Sequence, residues 1–105
     1  MKVYLKENSW IARFAAWKLN SKTMALTLGH TIHLHNTSPA DFLENKNWVC
    51  HELAHVKQFE QYGFFLFLIR YFRESLVKGY YHNRWEIEAR AAETNYALLN
   101  NVIFL

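Results

Sequence analysis

Cysteine is almost missing: Cys50 stands alone, so no internal disulfide can form and nothing in the chain requires an oxidising compartment. Proline occurs once and glycine three times, and no repeat, linker or low-complexity tract interrupts the chain. No apolar run nears the roughly 20 residues needed to span a bilayer. The longest is FFLFLI, Phe64 to Ile69, and Arg70 closes it. The opening MKVYLKENSW lacks the apolar stretch of a signal peptide. Basic residues number 12 against nine acids, a formal charge of +3, but they are scattered, so there is no nucleic-acid footprint. These absences lead to the expectation of a soluble, cytoplasmic protein with no transmembrane segment and no nucleic-acid partner.

What remains is rich in large side chains. Hydrophobic residues make up 51% and aromatics 17% of 105 residues, enough for one core and too much for disorder. SWIARFAAWKLN reads as a short helix: Ser9 can cap it, and Trp10, Phe14 and Trp17 share a face. KTMALTL and TIHLH each alternate and flank Gly29, which suggests a hairpin. A two-residue Gly29-His30 loop would pair Leu26 with His33 and mix the faces. A three-residue loop, Gly29 to Thr31, pairs Leu28 with Ile32 and Leu26 with Leu34, and the hydrophobic pattern favours it. SPAD starts a helix with Ser38 as cap and Pro39 at its first position. A longer helix should then run from about Asn45 through Tyr62, with Gly63 as its stop. A further helical stretch covers roughly residues 64 to 78 and breaks at Lys78-Gly79; a last helix runs from Arg84 to about Asn100. The expected fold is α+β: a mainly helical single domain, residues 1–105, with a small antiparallel β-hairpin sheet.

HELAH, residues 51 to 55, carries the chemistry. At about 100° per residue, His51 and His55 lie ~40° apart around a helix and one turn along it, close enough to share an ion. Zinc takes neutral imidazole nitrogen and prefers a tetrahedron. Glu52 lies ~100° from His51, where it can reach a water at that ion, the position of a general base. A catalytic zinc wants a third protein ligand. WEIEARAAE offers Glu86, which shares a face with Ala89 and Glu93; Glu88 points ~200° away from Glu86, and His82 lies one turn before it.

HELAH followed after about thirty residues by Glu86-Ile87-Glu88-Ala89-Arg90 resembles a gluzincin metallopeptidase. That family has HExxH on one helix and a glutamate ligand on a second, and several branches write the second motif Glu-x-x-Ala-Asp. The resemblance implies Zn2+ held by His51, His55 and Glu86, peptide-bond hydrolysis with Glu52 as general base, and a peptide or protein substrate. Arg90 stands where the aspartate is usual, which removes the support that residue gives the histidines. In length the chain is similar to the minigluzincins, and its TLGHTIHL hairpin before HELAH is similar to small bacterial HExxH domains of the DUF4157 type. Tyr81 and His82, with Tyr80 beside them, precede the Glu86 helix and are candidates to hold the oxyanion; nothing in the sequence chooses among them.

Each motif has a plainer reading. Asn83-Arg84-Trp85-Glu86 fits a capping box that needs no metal. His33 and His35 are expected to be exposed, Cys50 to be a buried inert thiol, and the aromatics from Phe64 to Phe72 to form core. The apolar tail Val102-Ile103-Phe104-Leu105 can complete the core. It could instead fill the cleft of its own or a neighbouring molecule. The second arrangement is a latent zymogen or a homo-oligomer, and the minigluzincin resemblance implies such latency. Against the peptidase stands a different class: a zinc-containing binding module with no turnover.

Overall fold

Two serines start helices as their spacing predicts, in a computed structural model that describes residues 1–105. Ser9 accepts from the Ala12 N–H and begins α1, Trp10–Lys18. Ser38 accepts from the Asp41 N–H at 3.1 Å and begins α2, Pro39–Glu44. The remaining elements are β1 (Lys2–Lys6), β2 (Met24–Leu28), β3 (Thr31–His35), α3 (Lys46–Tyr62), α4 (Phe64–His82), α5 (Arg84–Ala91), a 3-10 turn (Tyr96–Leu99) and β4 (Ile103–Phe104). The α+β reading holds.

The hairpin is one part of a four-stranded mixed sheet, in the order β2-β3-β1-β4. β1 runs parallel to both neighbours and pairs Lys2 with Ile103 and Leu5 with Ile32. Neither parallel pairing leaves a local signature in the sequence, so both strands were absent from the expected sheet. The tail therefore forms the sheet edge beside β1, at the opposite end from β2.

The hairpin register differs from the expected one. Its loop is the two-residue Gly29-His30, and Leu26 faces His33 while Thr27 faces Ile32. Gly29, at φ 65°, supplies the left-handed backbone that a two-residue loop needs. The hydrophobic-pattern argument assumed one wet face, but both faces of this sheet are covered. Small buried residues of α1, Ala12 and Ala16, pack on the Leu26–His33 side. α3 covers the other side, against Ala25, Thr27, Ile32 and Leu34. His33 is consequently buried, contrary to expectation, and its Nδ1 lies 2.8 Å from the Ser9 hydroxyl.

The main core joins Val3, Ile32, Leu34 and Phe42 to Val49, Leu53 and Val56 of α3. A smaller aromatic cluster of Phe59, Phe67 and Trp85 ties α3, α4 and α5 together. Phe67 is the one buried residue of α4, so the Phe64–Phe72 run is not the core it was expected to be. The helices end where packing demands. Gly63 stops α3. Within α4, Gly79 takes φ 78° and ψ 168° and turns the residues after it onto a new phase. α5 stops at Ala91 instead of running to Asn100. A straight helix of that length would extend ~25 Å. The turn at Thr94–Asn95 instead brings Leu98, Leu99 and Val102 back onto the core and delivers β4 to β1. No helix is long and apolar enough to cross a membrane.

Candidate metal centre

Asn45 accepts from the Trp48 N–H and starts α3 so that His51 and His55 face the same way, with ring centroids 5.1 Å apart. Asn83 accepts from the Trp85 N–H and starts α5 one turn before Glu86. Its amide also donates to the Tyr71 carbonyl and the Ser75 hydroxyl, which pins the start of α5 to α4. Ala89, with no side chain beyond Cβ and fully buried, lets α5 lie close to α3. Asn83 caps as the capping-box reading required, but Glu86 does not complete the box. Its carboxylate turns to the histidines, with Oε1 2.9 Å from His51 Nε2 and Oε2 3.2 Å from His55 Nε2.

The outer nitrogens of both rings are held as well. His51 Nδ1 lies 2.8 Å from Glu93 Oε2, and His55 Nδ1 lies 2.8 Å from Gln58 Oε1. The Gln58 amide nitrogen donates to the Trp85 carbonyl and to Glu88 Oε1, both pure acceptors, which leaves Gln58 Oε1 as the acceptor facing His55. Nδ1 of His55 therefore carries a proton, and Nε2 is the inward nitrogen: protonated, it donates to Glu86, and it would offer its lone pair to an ion once that second proton is lost. Glu93 imposes the same tautomer on His51 by the same logic. Glu93, in the turn just past the end of α5, thus supports His51 from outside that helix. Arg90 itself stacks its guanidinium 4.1 Å from the Tyr81 ring centroid and donates to the Tyr81 carbonyl.

Charge follows geometry. Burial alone would raise the Glu86 carboxyl, but hydrogen bonds from His51, His55 and Tyr71 hold it far below the usual carboxylate range. Burial opposes protonation of His55, yet the Glu86 hydrogen bond and the Glu52 and Glu86 charges outweigh it and raise its pKa to about 9. His51 is also raised: desolvation is overcome by Glu86, Glu52 and Glu93. Glu52 is buried, and desolvation lifts its pKa against the pull of the two histidines and of the Thr27 hydroxyl. That hydroxyl donates to Glu52 Oε1 at 2.7 Å.

One donor atom each from His51, His55 and Glu86 can be chosen so that all lie within 4.8 Å of one another. Tetrahedral zinc, with bonds of ~2.0–2.1 Å, sets its donors about 3.3 Å apart. Each inward imidazole nitrogen meets a Glu86 oxygen, His51 at 2.9 Å and His55 at 3.2 Å, so the three side chains converge on one point, and two imidazoles with one carboxylate form a donor set that fits zinc once the imidazoles give up the protons they share with Glu86. Beside this cluster opens a cleft of about 710 Å³, lined by the β2 residues Met24 and Ala25 and by Trp48, Glu52 and Tyr80.

The structure brings together His51, His55, Glu86 and, on the flank, Glu52. It does not bring Tyr81 or His82 to the cleft. The backbone break at Gly79 aims Tyr80 there, while Tyr81 is exposed under Arg90. Burial and the Glu86 and Glu52 charges push the Tyr80 hydroxyl above its ordinary value, so it keeps its proton. Sequence reasoning missed three participants. Gln58 sits three residues after His55, a readable spacing on one helix face. Thr27 belongs to an alternating strand, and alternation alone does not show the Glu52 carboxylate it reaches. Tyr71, whose hydroxyl donates to Glu86 Oε2 at 2.5 Å, lies on another helix and had no signal at all.

Residues 12–63 match the family model of the eCIS core domain. This agrees with the likeness to small DUF4157-type domains read from TLGHTIHL and HELAH. The eCIS core match runs from α1 through α3 and includes both histidines and Glu52; Glu86 and Glu93 lie beyond it. No curated protein and no solved structure matches the chain.

Proposed function

We propose that this chain is a zinc-dependent peptide hydrolase of gluzincin type, with His51, His55 and Glu86 as metal ligands and Glu52 as general base. One observation carries the reading: two imidazole nitrogens and a carboxylate from separate helices converge, and each imidazole is held from behind by its own acceptor. Bound there, zinc would supply Lewis acidity and would lower the pKa of water towards ~7. Glu52 takes the proton from the attacking water and passes it to the leaving amine. Its raised pKa brings it nearer neutrality, where a carboxylate can both accept and return a proton. Thr27 holds the carboxylate in place for that exchange. Tyr80, still protonated and lining the cleft, donates to the oxygen on which negative charge develops. β2 is the free edge of the sheet beside the cleft, so an extended peptide can pair with its backbone. Leu19, Met24 and Trp48 offer an apolar wall for a substrate side chain.

The test is metal content by elemental analysis together with cleavage of a peptide library, for wild type and Glu52→Gln. We expect one zinc per chain in both, and a loss of about 10²–10⁴-fold in turnover for the variant. A Glu52→Gln protein that cleaves at the wild-type rate removes Glu52 from the role of base. Wild-type protein that holds zinc but cleaves nothing selects the binding-module reading instead.

A further inference from the structure

α4 presents its largest side chains to solvent. Phe65, Ile69, Phe72 and Leu76 are 75%, 65%, 57% and 88% exposed. Their spacing places them within ~60° of one another around the helix and over about 16 Å of its length. Leu66 and Val77, also exposed, widen the apolar arc on one side. Inside that arc stands Arg73, and at its margin Arg70, whose guanidinium lies 5.1 Å from the Tyr62 ring centroid. The one acid of the helix, Glu74, points the opposite way. It accepts from the Arg84 backbone N–H and pairs with Lys78, and its side chain is largely covered. The face is therefore a convex ridge of phenyl and aliphatic groups whose only charges are positive.

That charge pattern decides between occupants. A second copy of this chain laid on the same face would set Arg70 and Arg73 against their own counterparts, and like charges across an interface oppose association. An anionic surface reverses the sign of that interaction. A fluid one also receives protruding side chains without needing matching hollows. A helix with Phe, Leu and Ile on one side and arginine beside them lies in the headgroup plane, its apolar face at the acyl boundary and its guanidinium groups reaching back to phosphate. We infer that the outer face of α4 docks on an anionic lipid surface through Phe65, Ile69, Phe72 and Leu76, with Arg70 and Arg73 among the headgroups. The helix lies on that surface and does not cross it, as its length and composition require.

α1 provides an internal comparison. It also exposes aromatics, Trp10, Phe14 and Trp17, but it covers the sheet face opposite α3 and carries no arginine pair within an unbroken apolar arc of that length. The experiment is co-flotation of the full chain with vesicles of phosphatidylcholine, alone or with about 30% phosphatidylglycerol. Wild type, Phe65→Ser/Phe72→Ser, Arg70→Gln/Arg73→Gln and Trp10→Ser/Trp17→Ser are compared. Circular dichroism confirms the fold of each, and sedimentation gives its oligomeric state. Wild type should float with the anionic vesicles at least about tenfold more strongly than with phosphatidylcholine alone, and added salt should weaken it. The Phe65/Phe72 pair should lose most of this binding, the arginine pair should lose its preference for anionic lipid, and the α1 pair should retain it. Failure of wild type to float, or undiminished flotation of the folded Phe65/Phe72 variant, overturns the inference. So does a solution dimer that the same two substitutions dissociate, since the face is then a self-interface. None of these outcomes depends on metal content or cleavage.

Discussion

Removing the Glu93 carboxylate should weaken zinc binding although Glu93 never touches the ion. Its Oε2 lies 2.8 Å from His51 Nδ1, so it fixes the ring and leaves Nε2 as the basic nitrogen. Partners of this kind are typically worth 10–100-fold in affinity. The Glu93 side chain is 37% exposed, so water screens part of its charge and the lower end applies: about tenfold, ~1.4 kcal/mol, for Glu93→Ala. Glu93→Gln keeps an acceptor and loses the charge, and should fall between. The assay is competition for zinc against a chromophoric chelator at about neutral pH, with circular dichroism to confirm the fold. Two comparisons frame the result. Arg90→Ala should bind as wild type does, because that side chain serves Tyr81. Gln58→Ala should bind more weakly than Glu93→Ala, because Gln58 is buried and holds His55 from behind. Zinc affinity of Glu93→Ala within about twofold of wild type would refute the reasoning that orientation of His51 matters to the site.

Three further outcomes are expected. Thr27→Val removes the hydroxyl that lowers the Glu52 pKa; the acid limb of the pH–rate profile should move to higher pH with zinc affinity unchanged, and an unmoved limb would free Thr27 of that role. Burial and the Lys6 charge lower the His33 pKa below 6.5, so the unfolded chain binds the proton more readily. Stability should therefore decline as pH falls from about 6.5 to the folded-state value, by at most ~1.4 kcal/mol per unit, and then level off. His33→Gln should flatten that decline in urea unfolding, and an equally steep variant would remove His33 as its source. On α1, Ala16→Leu should cost ~1–3 kcal/mol by overpacking against the sheet, whereas Trp17→Ser should change stability by less than about 0.5 kcal/mol; equal effects in thermal unfolding would contradict the outward placement of the tryptophan.

The candidate metal centre was legible because helical periodicity is rigid. The i and i+4 spacing of His51 and His55 along α3 translates directly into a face, whereas Glu93 reaches His51 from the turn just past the end of α5. Caps were legible for a similar reason: Ser9, Ser38 and Gly63 act within one turn of where they stand. What failed depended on the third dimension. Alternation told correctly that Leu26 and Thr27 point apart, but not that both sides of the sheet are packed, so the register came out wrong. The phase of Tyr80 and Tyr81 could not be counted along α4, because Gly79 resets it. Phe65 and Phe72 looked like core by residue type alone, while Ala12 and Ala16 do the packing on α1; hydrophobicity names which side chains prefer shelter, not which obtain it.

β1 has a consequence in time. Its partners are β3, roughly thirty residues on, and β4, about a hundred residues on, whereas β2 and β3 meet across two residues. The hairpin closes locally and quickly, but Val3 reaches the interior only when segments near opposite extremes of the polypeptide find each other. By contact order, closing the sheet is the slow search, whereas His51, Glu52 and His55 are near neighbours along α3 and need none to come together; Glu86, on α5, joins them when the helices pack.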